Sequence, residues 1–444
     1  MSLPLVNPLS HRVKFSLWAV ILFVAVAYVW PFWNRDEALR KPTGFLEQPV
    51  YRDVPPENNS LTFFEDAVGR RDFDFTGKDW QAGDKILGGQ LPWDQGIMQS
   101  LLNASRPMKS LMEQALRRQE WYLGPPFHAI GSGESLKPLQ RILTAHVMDL
   151  AQRGERKEAI QWLSQAETLT MRYLEGTAPY AISGAALKFS GKIGSLVFDK
   201  LAAGPATTAE LLEMQHILER LRVTRQHFLQ HLASVYWGEV EVRADPIFFP
   251  SGKTDPLMLL PLCCDERRPP GWWIRARYQP KAEQNLFTEF YTRIGSDAFA
   301  EGWASRKALA DFGSNLKPMT EFSLASTDPN HTGRVIASGS AVRMLEEEAL
   351  FFAQEALRRC RWTAVAAKRW ALAHGGSWPA TLTELVPDYL PEIPLDPYDG
   401  NPLRWDQPSG TAYVIGDDGV ADLPFILSGK FSLLRKEGAA ARLP

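Results

Sequence analysis

Nineteen consecutive residues without a charge, Phe15 to Trp33, constrain this chain more than any other feature. At about 1.5 Å of rise per residue, such a helix just covers a hydrocarbon core about 30 Å thick. Trp30, Phe32 and Trp33 close the run, where amphipathic rings favour the headgroup level. Arg12 and Lys14 precede it, and Arg35, Arg40 and Lys41 follow, so the positive-inside rule barely discriminates. The short N-terminal tail favours an N-in orientation, with the bulk of the chain outside the cytoplasm. Ala25-Val26-Ala27 offers a competing reading as a signal-peptide cleavage site, but the apolar run continues through Tyr28, Val29 and Trp30. The expectation is an uncleaved anchor: a tail and transmembrane helix over 1–33, touching the lipid bilayer through Phe15–Trp33.

The rest of the 444 residues has the composition of a globular protein, 45% hydrophobic and 23% charged. A net charge of -2 lacks the basic excess of a nucleic-acid footprint, so no nucleic-acid partner is expected. Three cysteines are too few for a disulfide framework, and Cys263 and Cys264 are adjacent, so Cys263, Cys264 and Cys360 read as unpaired thiols.

Prolines 42, 49, 55 and 56 make 34–60 a linker. A helical domain is expected over 61–335. In it Leu139, Ile142, Leu143, His146, Val147 and Leu150 share one helix face. Gly154 interrupts, and Ala159, Trp162, Leu163, Ala166, Leu169 and Tyr173 line a second helix. The pair is similar to one tetratricopeptide-type hairpin, with no repeat at a thirty-four-residue period. A third helix is expected over 178–203 and a long one over 209–243, capped by Thr207 or Thr208. Residues 245–279, rich in proline, read as an irregular crossing. Helix returns over 282–309, and Ser326 to Gly333 reads as a polar loop.

Catalytic signatures are absent. There is no phosphate-binding glycine loop, no zinc-spaced cysteine pair, and Gly131-Ser132-Gly133 lacks nucleophile-elbow spacing. His227 and His231 stand four apart on one helix face, as metal ligands would, but bring no third ligand, so a metal site is not expected there. Fifteen tryptophans raise the idea of a sugar- or lipid-contacting surface, but most sit in apolar stripes where packing accounts for them.

From Ser340, Leu345, Ala349, Phe352, Ala356, Cys360, Thr363, Ala367 and Trp370 form one helical face. Glu346 to Glu348 lie early and Arg358, Arg359, Arg361, Lys368 and Arg369 late, complementing the helix dipole. Gly375-Gly376 stops the helix, Thr381 with Glu384 makes a capping box, and Asp399-Gly400 marks a turn between short strands.

Gly-Gly-Ser-Trp-Pro at 375–379, the run from Asp396 to Trp405 and Gly416-Asp417-Asp418-Gly419 together resemble the C-terminal module of the major pseudopilins of type II secretion. The resemblance covers about 340–424. It departs at Asp399, an extra turn residue, at Val414 in place of a serine, and in the anchor, which lacks a prepilin cleavage motif. The whole chain resembles membrane-anchored bacterial envelope proteins, a likeness that brings no activity with it. The expected fold is mainly α: one transmembrane helix, a hairpin-type helical ectodomain, a long helix and β module over 336–424 with a short β-hairpin, and a tail over 425–444. The resemblance to the major pseudopilins implies a calcium site in the module's last loop, with Asp417, Asp418 and Asp422 as ligands and Asp396 or Asp399 approaching from the neighbouring turn. The functional expectation is a non-catalytic scaffold of the bacterial inner membrane, facing the periplasm. It would bind an unknown protein partner, such as one of a secretion or pilus-like system. The alternative is an envelope hydrolase assembled from distant residues such as Asp66, His128, Glu134 and His146.

Overall fold

The computed structural model describes residues 18, 20, 38–47, 54–55, 58–59, 78–87, 90–118, 133–175, 190, 198–244, 256, 271–323, 328–415 and 421–425. They are mainly helical, with one small antiparallel sheet. Apart from Trp18 and Val20, both helical and exposed, the segment Phe15–Trp33 lies outside the described residues, as does the tail over 425–444 except Phe425. Among the described residues no helix is long and apolar enough to cross a membrane.

In chain order the helices are α1 (Lys78–Leu87), α2 (Gln95–Leu116), α3 (Gly133–Gln152), α4 (Arg156–Glu175), α5 (Asp199–Ala203), α6 (Thr208–Arg220) and α7 (Arg225–Ala244). There follow α8 (Gly271–Ala276), α9 (Pro280–Asp297), α10 (Trp303–Leu316) and α11 (His331–Ala373). The strands are β1 (Arg404–Asp406), β2 (Thr411–Ile415) and β3 (Ala421–Phe425). Two compact units result. Unit 1 is Met1–Pro42, Arg243–Thr292 and Ser314–Arg343; unit 2 is Thr43–Val242, Arg293–Gly313 and Met344–Pro444.

In unit 2 the α3–α4 hairpin forms as its pattern predicts. Gly154 turns the chain at φ 78, and Ile142, Leu143, Val147, Leu150, Ala159, Trp162, Leu163 and Ala166 are all buried. Helix α2 packs on α3, and α6 on α4. Thr207 caps α6 through its hydroxyl and Glu210 closes the box.

The single helix expected over 209–243 is two, α6 and α7. The second start has its own reciprocal cap, in which Thr224 N–H donates to His227 Nδ1 (3.2 Å) and His227 N–H to Thr224 Oγ1 (3.4 Å). An imidazole stands where glutamate usually completes this device. The helix expected over 282–309 also breaks in two. At the corner Phe299 adopts φ 57, its N–H held by Glu348 Oε1 at 3.1 Å. Arg225 donates to the terminal carbonyls of Gly295 (2.6 Å) and Ala298 (3.2 Å), closing the end of α9.

In unit 1 the crossing expected over 245–279 contains a helix, α8, whose Trp273 meets His331 edge-on with ring centroids 5.6 Å apart. Thr332 donates to the carbonyls of Arg277 (backbone N–H, 3.0 Å) and Ile274 (hydroxyl, 2.9 Å). Helix α11 starts at His331, ahead of the expected long-helix segment 336–424, and so takes in the end of the loop read over 326–333. A Cβ on Gly333 would lie 2.3 Å from Asn330 Oδ1, the oxygen that receives Gln279 N–H (2.9 Å). The glycine makes room for a side chain; it does not break the helix.

The expected β-hairpin is a three-stranded antiparallel sheet in the order β1-β2-β3, with Trp405 opposite Ala412 and Val414 opposite Asp422. Pro424 lies on β3, an edge strand, where its missing N–H costs least.

Candidate functional site

Two features of unit 2 have the form of a site. The first is an open groove of about 780 Å³ at the α3–α4 turn, lined by Glu155 to Glu158 and by Gln161, Trp162 and Gln165 of α4, with Glu113 of α2 and Glu210 of α6. Arg156 spans part of it, reaching Glu210 at 3.4 Å and the Leu201 carbonyl at 2.7 Å. Gln161, Lys157 and Glu158 stand exposed. Trp162 is anchored below by an edge contact with His146, ring centroids 4.9 Å apart.

The second is a cavity of about 20 Å³ between α4, α6 and α11, room for about one water molecule. Glu167 lines it with Ser190, Gln354, Arg358 and Arg361. Glu167 is buried, and its Oε2 has no hydrogen-bond partner among the described residues. Burial pushes its pKa up to about 7, against the opposing pull of the Ser190 hydrogen bond and the Arg361 charge. Arg361 grips Asp199 through two hydrogen bonds of 2.9 and 3.1 Å, and burial raises that carboxylate as well. Glu355 in turn holds Arg358 at 2.7 Å and Arg359 at 2.9 Å. Glu348, also buried, takes Arg306 on both oxygens at 2.7 and 2.9 Å. Glu348 belongs to the acidic stretch that reads in sequence as complementing the helix dipole.

The carboxylates singled out for calcium have separate placements. Asp396 is fully buried, accepts the N–H groups of Tyr398 (2.9 Å) and Ile415 (2.7 Å), and pairs with Arg404. Asp399 also pairs with Arg404, which holds its carboxyl down to about 2. The guanidinium thus bridges the two carboxylates expected to approach the ion. Asp422 lies in β3, and Asp417 and Asp418 lie outside the described residues. Among the described residues no group of three His, Cys, Asp or Glu is placed to hold a metal ion.

His227 spends Nδ1 on its capping bond. His231 is buried and stacks on Phe351, ring centroids 5.3 Å apart, and burial drives it down to about 4, so it is neutral at physiological pH. Of the residues named for a hydrolase, Asp66 and His128 lie outside the described residues, Glu134 lies in the first turn of α3, and His146 packs on Trp162. Cys360 is buried and its thiol pKa is pushed up to about 12, so it carries no thiolate reactivity; Cys263 and Cys264 lie outside the described residues.

Sequence reasoning missed Glu167, Asp199 and Arg361. One signal was present: Ile160, Leu163, Glu167, Thr170 and Leu174 follow helical spacing and are all buried, so an acid sits in the middle of an apolar stripe. No known protein family, characterised protein or solved structure matches the chain.

Proposed function

We propose that the chain is a non-catalytic scaffold, anchored in the bacterial inner membrane by Phe15–Trp33 with its bulk on the periplasmic side, that seats a segment of a partner protein in the α3–α4 groove. The observation that carries this reading is the groove itself. It is open, about 780 Å³ in volume, lined by polar and charged side chains of both signs, and built on a rigid apolar hairpin. Binding surfaces for chain segments have this form, whereas enzyme pockets gather convergent acids and bases in an enclosed, mostly apolar cleft. Glu167, a buried acid whose pKa is raised to about 7, opens on a space of about 20 Å³, too small for a substrate. The module from α11 onward keeps the order of helix, capped turn, Asp-Pro turn and antiparallel strands that suggests kinship with pseudopilins, and so a partner in a secretion or pilus-like apparatus.

The test is a photo-crosslinking residue at Gln161 in intact cells, with the same residue at exposed Leu372 as reference. A discrete adduct at Gln161 alone, lost when Lys157→Glu and Glu158→Arg invert the rim, supports the scaffold. The same adducts from both positions, or none from Gln161, would overturn it.

A further inference from the structure

The chain just beyond the anchor is clamped to unit 1. Buried Asn285, on α9, accepts the Arg40 backbone N–H on Oδ1 (2.8 Å) and donates Nδ2 to the Ala38 carbonyl (2.9 Å). These are the two bonds that a neighbouring strand would make. Residues 38–40 are therefore part of the unit and not free linker. From Trp33, where the uncharged run ends, to Ala38 is five residues, which reach at most about 18 Å when fully extended. A unit held that closely to the end of a spanning helix cannot leave the neighbourhood of the headgroups.

Unit 1 carries an exposed face of matching character. Trp272 is 71% exposed, the largest exposure of any large hydrophobic residue described. Arg275 and Ala276, three and four residues on, share the open side of α8, while Trp273 and Ile274 turn inward. Pro280 and Lys281, at the start of α9, are exposed too. The route from α8 to the clamp is short: Asn285 lies nine residues beyond Ala276, and the last six of those are helical. An indole ring beside cationic side chains is the composition that settles at the membrane–water boundary, with the ring among the headgroups and the charges towards phosphate.

We propose that α8 is a membrane-surface contact: unit 1 lies on the lipid headgroups with Trp272 inserted among them. This rests on the reading of Phe15–Trp33 as a bilayer-spanning helix. The short tether keeps unit 1 at the lipid surface, and the exposed indole and cationic side chains single out this face as the one turned to it; a second protein copy is the rival occupant.

The full chain, with Cys263→Ser and Cys264→Ser and with buried Cys360 kept, is labelled with a small fluorophore at Val24→Cys, Trp272→Cys or Ala276→Cys. Each is reconstituted into phosphatidylethanolamine–phosphatidylglycerol vesicles carrying a nitroxide quencher on the headgroup or at the acyl end. The expected result is loss of most of the fluorescence to the acyl-end quencher at position 24, the midpoint of the span, and to the headgroup quencher at 272 and 276. Quenching at 24 with none at 272 and 276 overturns the surface contact and leaves the anchor standing. Absence of quenching at all three removes the anchor and the contact together. A blue shift at 272 that grows with protein-to-lipid ratio, without quenching, assigns the face to a second copy and overturns the proposal.

Discussion

Within unit 2 the α3–α4 hairpin and the surroundings of α11 solve the burial problem in opposite ways. The hairpin packs mainly aliphatic side chains, Trp162 and small residues, with buried Asp149 tied to Arg153 one turn away, and Ala159 and Ala166 let two backbones approach. Around α11 the core takes in Glu348, Glu355 and Arg361, together with Asp199 from α5 and Glu167 from α4. Apolar packing is non-directional and tolerates exchange of like volumes. A buried ion pair must match its partner in position, because Coulombic attraction offsets desolvation only when the geometry is good. The hairpin should therefore bend to substitution where the α11 core breaks.

The largest effect is expected at Arg361. Replacing it with methionine leaves Asp199 buried without its two hydrogen bonds and removes the positive charge beside Glu167. Breaking one side of such a pair costs about 3–5 kcal/mol. Arg361→Met should lose that much in urea unfolding, and adding Asp199→Leu should return most of it. If the double variant is as unstable as the single one, charge pairing is not what makes this core exacting.

How much of this contrast could be read from sequence follows from the same physics. The hairpin stripe, the Gly154 turn, the Thr207 and Thr381 caps and the Asp399-Gly400 turn were legible because each depends on neighbours a few residues away. The Asp199–Arg361 pair joins positions 162 apart, and nothing local marks either residue as buried. The break at Thr224 was hidden because histidine is an unusual partner in a capping box, so His227 drew attention as a metal ligand. The onset of α11 was misplaced because Gly333 reads as a loop residue, while its role is to clear space for Asn330. In the groove, Trp162 was legible as a stripe residue. Its neighbours Glu113 and Glu210 come from other helices, and no periodicity links them to α4.

A second, slightly smaller effect concerns pH. Glu167 is raised from 4.5 to about 7, so the folded state keeps a proton that the unfolded state has released. Its contribution is full below about 4.5 and declines as pH rises through 7, by about 3 kcal/mol in all. His231 is lowered from 6.5 to about 4, so the unfolded state holds the extra proton, and stability falls by a similar amount as pH drops from 6.5 to 4. Between about pH 4.5 and 6.5 the two slopes are opposite and nearly equal, and they offset one another in the native chain. Glu167→Gln should uncover a stability that rises with pH across this window. His231→Phe, which keeps a ring against Phe351, should uncover one that falls. Denaturation midpoints at half-unit pH intervals decide it; parallel profiles for the two variants would remove the opposed pair.

The smallest expected effect is the sharpest test of the comparison, because it applies the mildest change to both regions. Leu163 is fully buried in the hairpin, and methionine matches its volume without branching. Thioether flexibility lets the side chain follow the contours left by Ala159 and Ala166, so Leu163→Met should cost under about 1.5 kcal/mol with no pH dependence. Arg361→Lys is its counterpart, keeping charge and approximate reach. Lysine cannot reproduce the planar fork that grips both oxygens of Asp199, and its compact ammonium is harder to desolvate. Chemical denaturation of the two variants should therefore rank them clearly, with Arg361→Lys the less stable. Equal losses would mean that the α11 core reads charge alone and not shape, and that both regions are plastic in the same sense.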